Sequence, residues 1–129
     1  MKHHAHGTFE VTVQPKSPEP GEGLSRFCLD KRIHGDLEGE SHGEMLAAGD
    51  YTKGEAGYVA IERVTGTLNG KQGGFALQHS ATMSKGANVM QIVVVPGSGT
   101  GQLEGIAGTF TITIASGQHS YDLDYTLGP

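Results

Sequence analysis

The stretch "ERVTGTLNGKQGGFALQHSATM", residues 62–83, decides the fold, because apolar and polar residues alternate on both sides of a tight turn. Asn69 and Gly70 at its centre are a strong signal for a two-residue hairpin, since a type I′ turn requires positive φ at both central positions. With Leu68 opposite Lys71, this turn fixes the pairing of the two flanking strands. The stretch therefore predicts an antiparallel hairpin of defined register.

This register brings a carboxylate and an imidazole onto one apolar face. Glu62 lies opposite Leu77 and His79 lies opposite Ala60, so Glu62 and His79 become diagonal neighbours with Cβ atoms roughly 5 to 8 Å apart. A carboxylate on such a face is costly unless it is paired or reaches water. The pair therefore indicates either a buried polar network or a pocket.

Alternation with a period of two continues along the rest of the chain. "TFEVTV" (8–13), "NVMQIVVV" (88–95), "TFTITI" (109–114) and "SYDLDYTL" (120–127) repeat it, and no segment of ten or more residues has sustained helical spacing. Further turns are predicted at residues 85–86 and 116–117, and they extend the apolar face. The sequence predicts an all-β chain of about eight, mostly antiparallel strands.

A sheet of this length leaves apolar edges exposed unless it closes, and closing about eight strands leaves an interior for side chains or one small ligand. We therefore predict a single small β-barrel over residues 8–129, with the apolar face as its lumen, after a flexible His-rich N-terminus at residues 1–7. The segment from Leu24 to Gly39 is predicted to be one long strand that bends near Gly35. An open sheet packed on a partner subunit is the alternative.

Composition excludes several classes of function. A net charge of -5 argues against a nucleic-acid partner. No run approaches the ~20 apolar residues of a membrane span, and the N-terminus lacks the apolar core of a signal peptide. Cys28 is the only cysteine, so no intrachain disulfide forms, which fits a reducing compartment. We expect a cytoplasmic protein with no membrane partner.

Two acidic or His-rich segments are candidate metal sites. His3, His4 and His6 could chelate a transition metal, but flexible His-rich tails are usually incidental. "DLEGESHGE" (36–44) could hold a divalent cation, yet alternation splits its side chains between two faces. A solvated acidic edge is the favoured interpretation, and neither a metal site nor a cofactor is predicted.

The candidate site lies on the lumen face. Glu62 and His79 are the predicted catalytic pair, with Glu62 as proton shuttle and His79 as its orienting partner. The alternative is that Glu62 closes a buried network with Arg32 or a tyrosine hydroxyl. A hydrophobic ligand is predicted to contact six further lumen residues: Phe75, Leu77, Ile92, Phe110, Tyr121 and Tyr125.

Five motifs in order resemble those of a known family: "GTFEV", "GDLEGES", the hairpin of residues 62–83, "VVPGSGTGQLEGIAGTF" and "YDLDYTL". They are similar to a family of small bacterial domains of unknown function, whose fold resembles the allene oxide cyclase barrel. The segment "GTGQLEGIAGTF" also resembles allene oxide cyclases and dirigent proteins, which guide cyclisation or coupling of hydrophobic small molecules. The resemblance implies the barrel, and no catalytic residue of those enzymes carries over by position.

Three functions remain open at this point. The first is a cofactor-independent isomerase or cyclase acting in the lumen, and the second is a non-catalytic carrier of a small molecule. The third is an interaction protein whose lumen is structural. Val59, Ile61, Val93 and Val95 lie on the predicted outer face, and an apolar patch of this kind usually marks a subunit interface. A homo-oligomer, most simply a dimer, is expected under all three.

Overall fold

The structure is a computed structural model that describes residues 1–128. These residues form nine strands and one short 3-10 helix: β1 (Lys2–Pro15), β2 (Leu24–Gly35), β3 (Leu37–Asp50), the 3-10 helix (Tyr51–Lys53), β4 (Glu55–Leu68), β5 (Lys71–Ser84), β6 (Ala87–Val94), β7 (Thr100–Gly101), β8 (Ala107–Ala115) and β9 (Gln118–Thr126). No helix among them has the length and apolar character needed to cross a membrane.

Eight of the strands form a closed antiparallel barrel. Their order is β4-β3-β2-β1-β9-β8-β6-β5, and β4 pairs with β5 to complete the circle. The two-residue β7 adds a short pairing to β5. Closure gives each long strand two neighbours and so removes the exposed edges that an open sheet would carry. The predicted all-β barrel of about eight antiparallel strands is confirmed.

The three predicted hairpin registers are also confirmed, because turn chemistry fixes them. Asn69 and Gly70 have φ of 46° and 84°, and Leu68 pairs with Lys71. Lys85 and Ser116 open the other two turns with φ of 52° and 51°. A glycine follows each of these two residues, so both turns have the positive φ pair that a two-residue hairpin requires.

The predicted long strand from Leu24 to Gly39 is wrong, since the chain reverses direction at Gly35. Gly35 has φ of 111°, and a Cβ there would lie 2.7 Å from the carbonyl oxygen of His6. Only glycine fits this position. Ile33 and Leu37 on either side of the turn both face the lumen, so the period-two pattern runs through it without a break. Because the alternation is unbroken, the sequence pattern gives no sign of the turn.

The first strand begins at Lys2 and not at Thr8, which corrects the predicted boundary of the barrel. Residues 2–7, expected to be a flexible tail, pair with β9. Ala5 is fully buried, while His4 points outward, with its Nδ1 2.8 Å from Oδ1 of Asp124. The small apolar residue between two histidines continues the alternation of β1.

One half of the lumen is filled by side chains. The rings of Phe110 and Tyr121 stack there, with centroids 5.3 Å apart. Leu103 and Ile106, from the segment after β6, are 1% and 2% exposed and join this core. The other large buried side chains of this half are Leu37, Leu68, Phe75, Leu77 and Leu123. The barrel is therefore closed at this end.

Candidate functional site

The other half of the lumen is an open cavity of about 280 Å³. All eight barrel strands contribute to its lining. Val13, Met90 and Ile114 are 46%, 39% and 64% exposed, so they form the rim of an opening. The apolar and aromatic lining residues are Phe9, Val11, Val13, Leu29, Met45, Tyr51, Tyr58, Met90, Ile112 and Ile114, and the polar ones are Lys31, His79, Asn88 and His119.

Four polar side chains meet at the bottom of this cavity, and we call Lys31, Ser41, Glu62 and His79 the floor cluster. The Glu62 side chain is fully buried, whereas those of Lys31 and His79 are 5% and 4% exposed. Lys31 Nζ donates to Glu62 Oε2 at 2.8 Å, and Ser41 Oγ donates to Oε1 at 2.6 Å. His79 Nε2 hydrogen-bonds to Oε2. Both carboxylate oxygens are therefore satisfied.

The strand registers bring these four residues together. Lys31 lies directly opposite Ser41 on β2 and β3, and Glu62 on β4 lies opposite Gly43 on β3. A Cβ at position 43 would come within 2.7 Å of Glu62 Cβ. Glycine at this position therefore leaves the room that the Glu62 side chain needs. His79 lies on β5, diagonally across from Glu62, as the hairpin register predicts.

Lys31 is held from two sides. Its ammonium nitrogen lies 4.9 Å from the centroid of the Phe9 ring, a cation–π arrangement, and it donates one hydrogen bond to Glu62. An ammonium group has three donors. Within residues 1–128 the bond to Glu62 is its single side-chain hydrogen bond, so two donors remain for a group in the cavity that Lys31 lines.

Comparison with known proteins places the chain in a family. A family profile described as "Protein of unknown function (DUF3224)" matches residues 5–125. The chain belongs to this family. A crystal structure of a DUF3224 protein of unknown function from Shewanella oneidensis MR-1 matches with a TM-score of 0.91 and 44% identity, over 100% of this chain and 99% of that chain. None of the curated proteins matches.

The expected membership of a family of small domains of unknown function is thus confirmed for this DUF3224 chain. Similarity to allene oxide cyclases is tested by neither comparison and stays a prediction.

The charge state of Glu62 follows from its surroundings in the DUF3224 barrel. Burial by itself raises the pKa of this carboxyl, but the hydrogen bond from His79 and the charge of Lys31 outweigh it and lower the pKa to about 2. Glu62 is therefore ionised at neutral pH. A carboxylate in that state does not carry protons between groups near pH 7. The predicted role of Glu62 as a proton shuttle does not fit this charge state.

His79 has the geometry of a proton carrier in place of Glu62. An ionised carboxylate only accepts hydrogen bonds, so Nε2 of His79 carries the hydrogen that faces Glu62. Nδ1 has no hydrogen-bond partner within residues 1–128, and no fully buried side-chain nitrogen or oxygen in that range is unpaired. Nδ1 is therefore open to the cavity that His79 lines. A carboxylate that fixes an imidazole leaves the second nitrogen available as an acceptor or base.

The predicted alternative partners of Glu62 are replaced by two residues that the sequence analysis passed over. Arg32 is exposed on the outer face, and the hydroxyl of Tyr121 accepts a hydrogen bond from the Leu37 N–H at 3.0 Å. The true partners are Lys31 and Ser41. Lys31 alternates in step with the inward-facing apolar residues of β2. A lysine at an inward-facing position was therefore the signal that could have identified Lys31 as a partner of Glu62.

The six predicted ligand contacts, Phe75, Leu77, Ile92, Phe110, Tyr121 and Tyr125, are only 0 to 5% exposed. They lie on the lumen face as expected, but none of them lines the cavity. The Tyr125 hydroxyl accepts a hydrogen bond from Nδ2 of Asn69 at 2.8 Å. These residues pack the lumen, so of the predicted site residues only His79 reaches the open space, with Glu62 directly behind it.

Proposed function

We propose that this DUF3224 barrel binds a small hydrophobic molecule in the open half of its lumen, with one polar group of the ligand directed at Lys31 and His79. The observation that supports this is an apolar-walled cavity of about 280 Å³ with unused hydrogen-bonding groups at its bottom. Apolar walls supply affinity, and a few convergent polar groups fix orientation.

The size of the cavity limits the ligand. An engineered cavity of about 150 Å³ in another protein holds benzene. By proportion, about 280 Å³ has room for about ten to twelve non-hydrogen atoms. This favours a compound with one or two rings over a long-chain lipid.

A cofactor-independent isomerase or cyclase is the second candidate, and the oriented imidazole of His79 favours it. In that reaction Nδ1 of His79 removes a proton from a carbon next to a ligand carbonyl and returns it at another position. The resulting oxyanion receives hydrogen bonds from Lys31, while Glu62 keeps the imidazole in place. A carrier uses the same residues for orientation alone.

Native mass spectrometry of the freshly purified protein, followed by ligand-detected NMR with ring compounds of this size, tests the binding proposal. Val11→Trp fills the cavity from β1, whereas Val59→Trp adds the same ring to the outer wall, where Val59 is 53% exposed. Binding is expected to disappear in Val11→Trp and to persist in Val59→Trp. Equal binding by both variants, or none by the unmodified protein, would contradict the proposal.

A homodimer and a cytoplasmic location are further proposals. Leu46 and Val59 pair across β3 and β4 on the outer wall and are 46% and 53% exposed, which supports an interface there. Arg26 and Glu44 beside them form an ion pair, so a copy related by twofold symmetry would meet both signs of charge. Cys28 is a free thiol, which is typical of reducing compartments.

A further inference from the structure

The ionisable side chains that line the cavity lack the negative charge that predominates in the whole chain. The chain has 14 Asp and Glu against 9 Lys and Arg. Among residues 1–128, however, the cavity is lined by no carboxylate, and its ionisable lining side chains are Lys31, His79, His119, Tyr51 and Tyr58. An acidic protein thus surrounds a cavity whose titratable groups are bases and phenols.

Glu62 does not add a negative charge to the lining of the cavity. Its side chain is fully buried beneath the cavity, and both of its oxygens already accept hydrogen bonds from Lys31, Ser41 and His79. It offsets the charge of Lys31, so the cation is tolerated in a buried position. A ligand in the cavity meets the donors of Lys31 and the ring of His79, and it does not meet the carboxylate.

These groups are shielded from bulk water. The side chains of Lys31 and His79 are 5% and 4% exposed, and the Phe9 ring covers one side of the ammonium group. Hydrogen bonds to a charged partner are strong where the surroundings exclude water. A weak acid that transfers its proton to Nδ1 of His79 leaves an anionic oxygen that accepts from this Nδ1–H and from Lys31 Nζ, whereas an amine would meet the Lys31 ammonium group.

We infer that the ligand of the cavity is a hydrophobic weak acid, such as a carboxylate, phenolate or enolate, whose anionic oxygen binds between Lys31 and His79. This inference rests on the proposed binding function and adds the chemical class of the ligand. The acid is oriented with its charged end at the bottom of the barrel, and its apolar body contacts Val11 and Ile112 on the walls.

A matched ligand series tests the inference on the unaltered protein. Phenylbutanoate, phenylbutanamide and phenylbutylamine share one apolar body and differ in the charge of the polar end, and the cyclohexyl analogues form a second series. Calorimetric titration is expected to give a dissociation constant about tenfold or more lower for each acid than for its amide, with the amine weakest. NMR shifts of the Val11 and Ile112 methyl groups locate the bound acid.

A paired substitution tests the residues involved. Lys31→Met combined with Glu62→Gln removes both charges of the floor cluster and keeps similar volumes, so neither charge is left alone. Arg26→Met combined with Glu44→Gln removes an ion pair from the outer wall and is the matched control. The preference for the acid over the amide is expected to vanish in the first variant and to persist in the control.

The outcomes distinguish failure of the inference about the acid from failure of the proposed binding function. If an amide or amine binds as tightly as its acid, or if the acid preference survives loss of the Lys31 charge, the inference is wrong and binding in the cavity stands. If no member of either series binds, the proposed function fails as well. Should the first variant not fold, the ligand series and the methyl shifts of the unaltered protein still decide.

Discussion

Glu62 and His79 hydrogen-bond through Oε2 and Nε2 although they are not directly opposite each other on the β4–β5 hairpin. Glu62 is paired with Leu77 and His79 with Ala60, so the contact runs along the diagonal. The same Oε2 accepts from Lys31. One carboxylate oxygen therefore joins strands β2, β4 and β5, and a change at Glu62 affects all three.

Glu62→Gln is expected to lower the free energy of unfolding by about 3 kcal/mol or more, because it leaves the buried Lys31 charge without its partner. Urea unfolding followed by circular dichroism measures the loss. Glu44→Gln, which breaks an exposed ion pair with Arg26, is the control and should change little. Equal effects of the two substitutions would mean that the buried cluster adds no stability.

The stability of the barrel should fall in acid. The pKa of Glu62 is lowered from 4.5 to about 2 in the folded protein, so its contribution is complete above pH 4.5 and is lost as the pH falls toward 2. This difference corresponds to about 3 kcal/mol at neutral pH. Urea unfolding between pH 6 and about 2 measures it, and the slope should be shallower in Glu62→Gln. Identical slopes would contradict the assignment.

His4 should titrate above its ordinary value. Its hydrogen bond to Asp124 raises the pKa from 6.5, so the stabilisation is complete below pH 6.5 and is lost as the pH rises through the higher folded pKa. NMR titration of the His4 ring measures this. Asp124→Asn should bring the pKa down again. An unchanged titration would show that the contact with Asp124 does not raise the pKa of His4.

Gly43→Ala should destabilise the barrel, because the new methyl group would lie 2.3 Å from the carbonyl oxygen of Ile61 and 2.7 Å from Glu62 Cβ. We expect a loss of about 1 to 3 kcal/mol, as for other overpacked sites. Gly57→Ala is the matched control in β4, since its methyl group finds ordinary contacts at 3.5 Å. Thermal unfolding compares the two, and equal melting temperatures would show that position 43 has spare room.

The proposed dimer gives a fifth prediction. Sedimentation analysis should return the mass of two chains, and Ile61→Glu should convert it to one, because Ile61 is 56% exposed on the proposed interface. Val89→Glu alters a residue of β6 that is even more exposed, at 69%, and should leave the dimer intact. A single-chain mass for the unaltered protein would exclude the interface.

The faces of the strands could be predicted from the sequence because the residues of three hairpin turns determine the register of the strands. Asn69 with Gly70 sets the register of β4 and β5, and the diagonal contact of Glu62 with His79 follows from it. Alternation reports which face a residue occupies. It therefore placed Phe75 and Leu77 correctly on the same lumen side.

Alternation does not report how far along the barrel a residue lies, so the division of the lumen into a packed and an open half could not be predicted. That division depends on Leu103 and Ile106, which belong to a segment without periodic structure and fill one end. The partners of Glu62 were missed for a related reason. Lys31 and Ser41 lie on strands joined by the turn at Gly35, and that turn leaves no break in the pattern.

Because side chains fill one end of the barrel, the lumen has a single opening. A molecule that enters between Val13 and Ile114 must leave by the same route, and its last atoms to enter stay nearest to solvent. Chemical handles attached to the apolar end of a bound acid would therefore point outward. An affinity resin that carries the acid through such a tether should capture the barrel, whereas a resin coupled through the acid group itself should not.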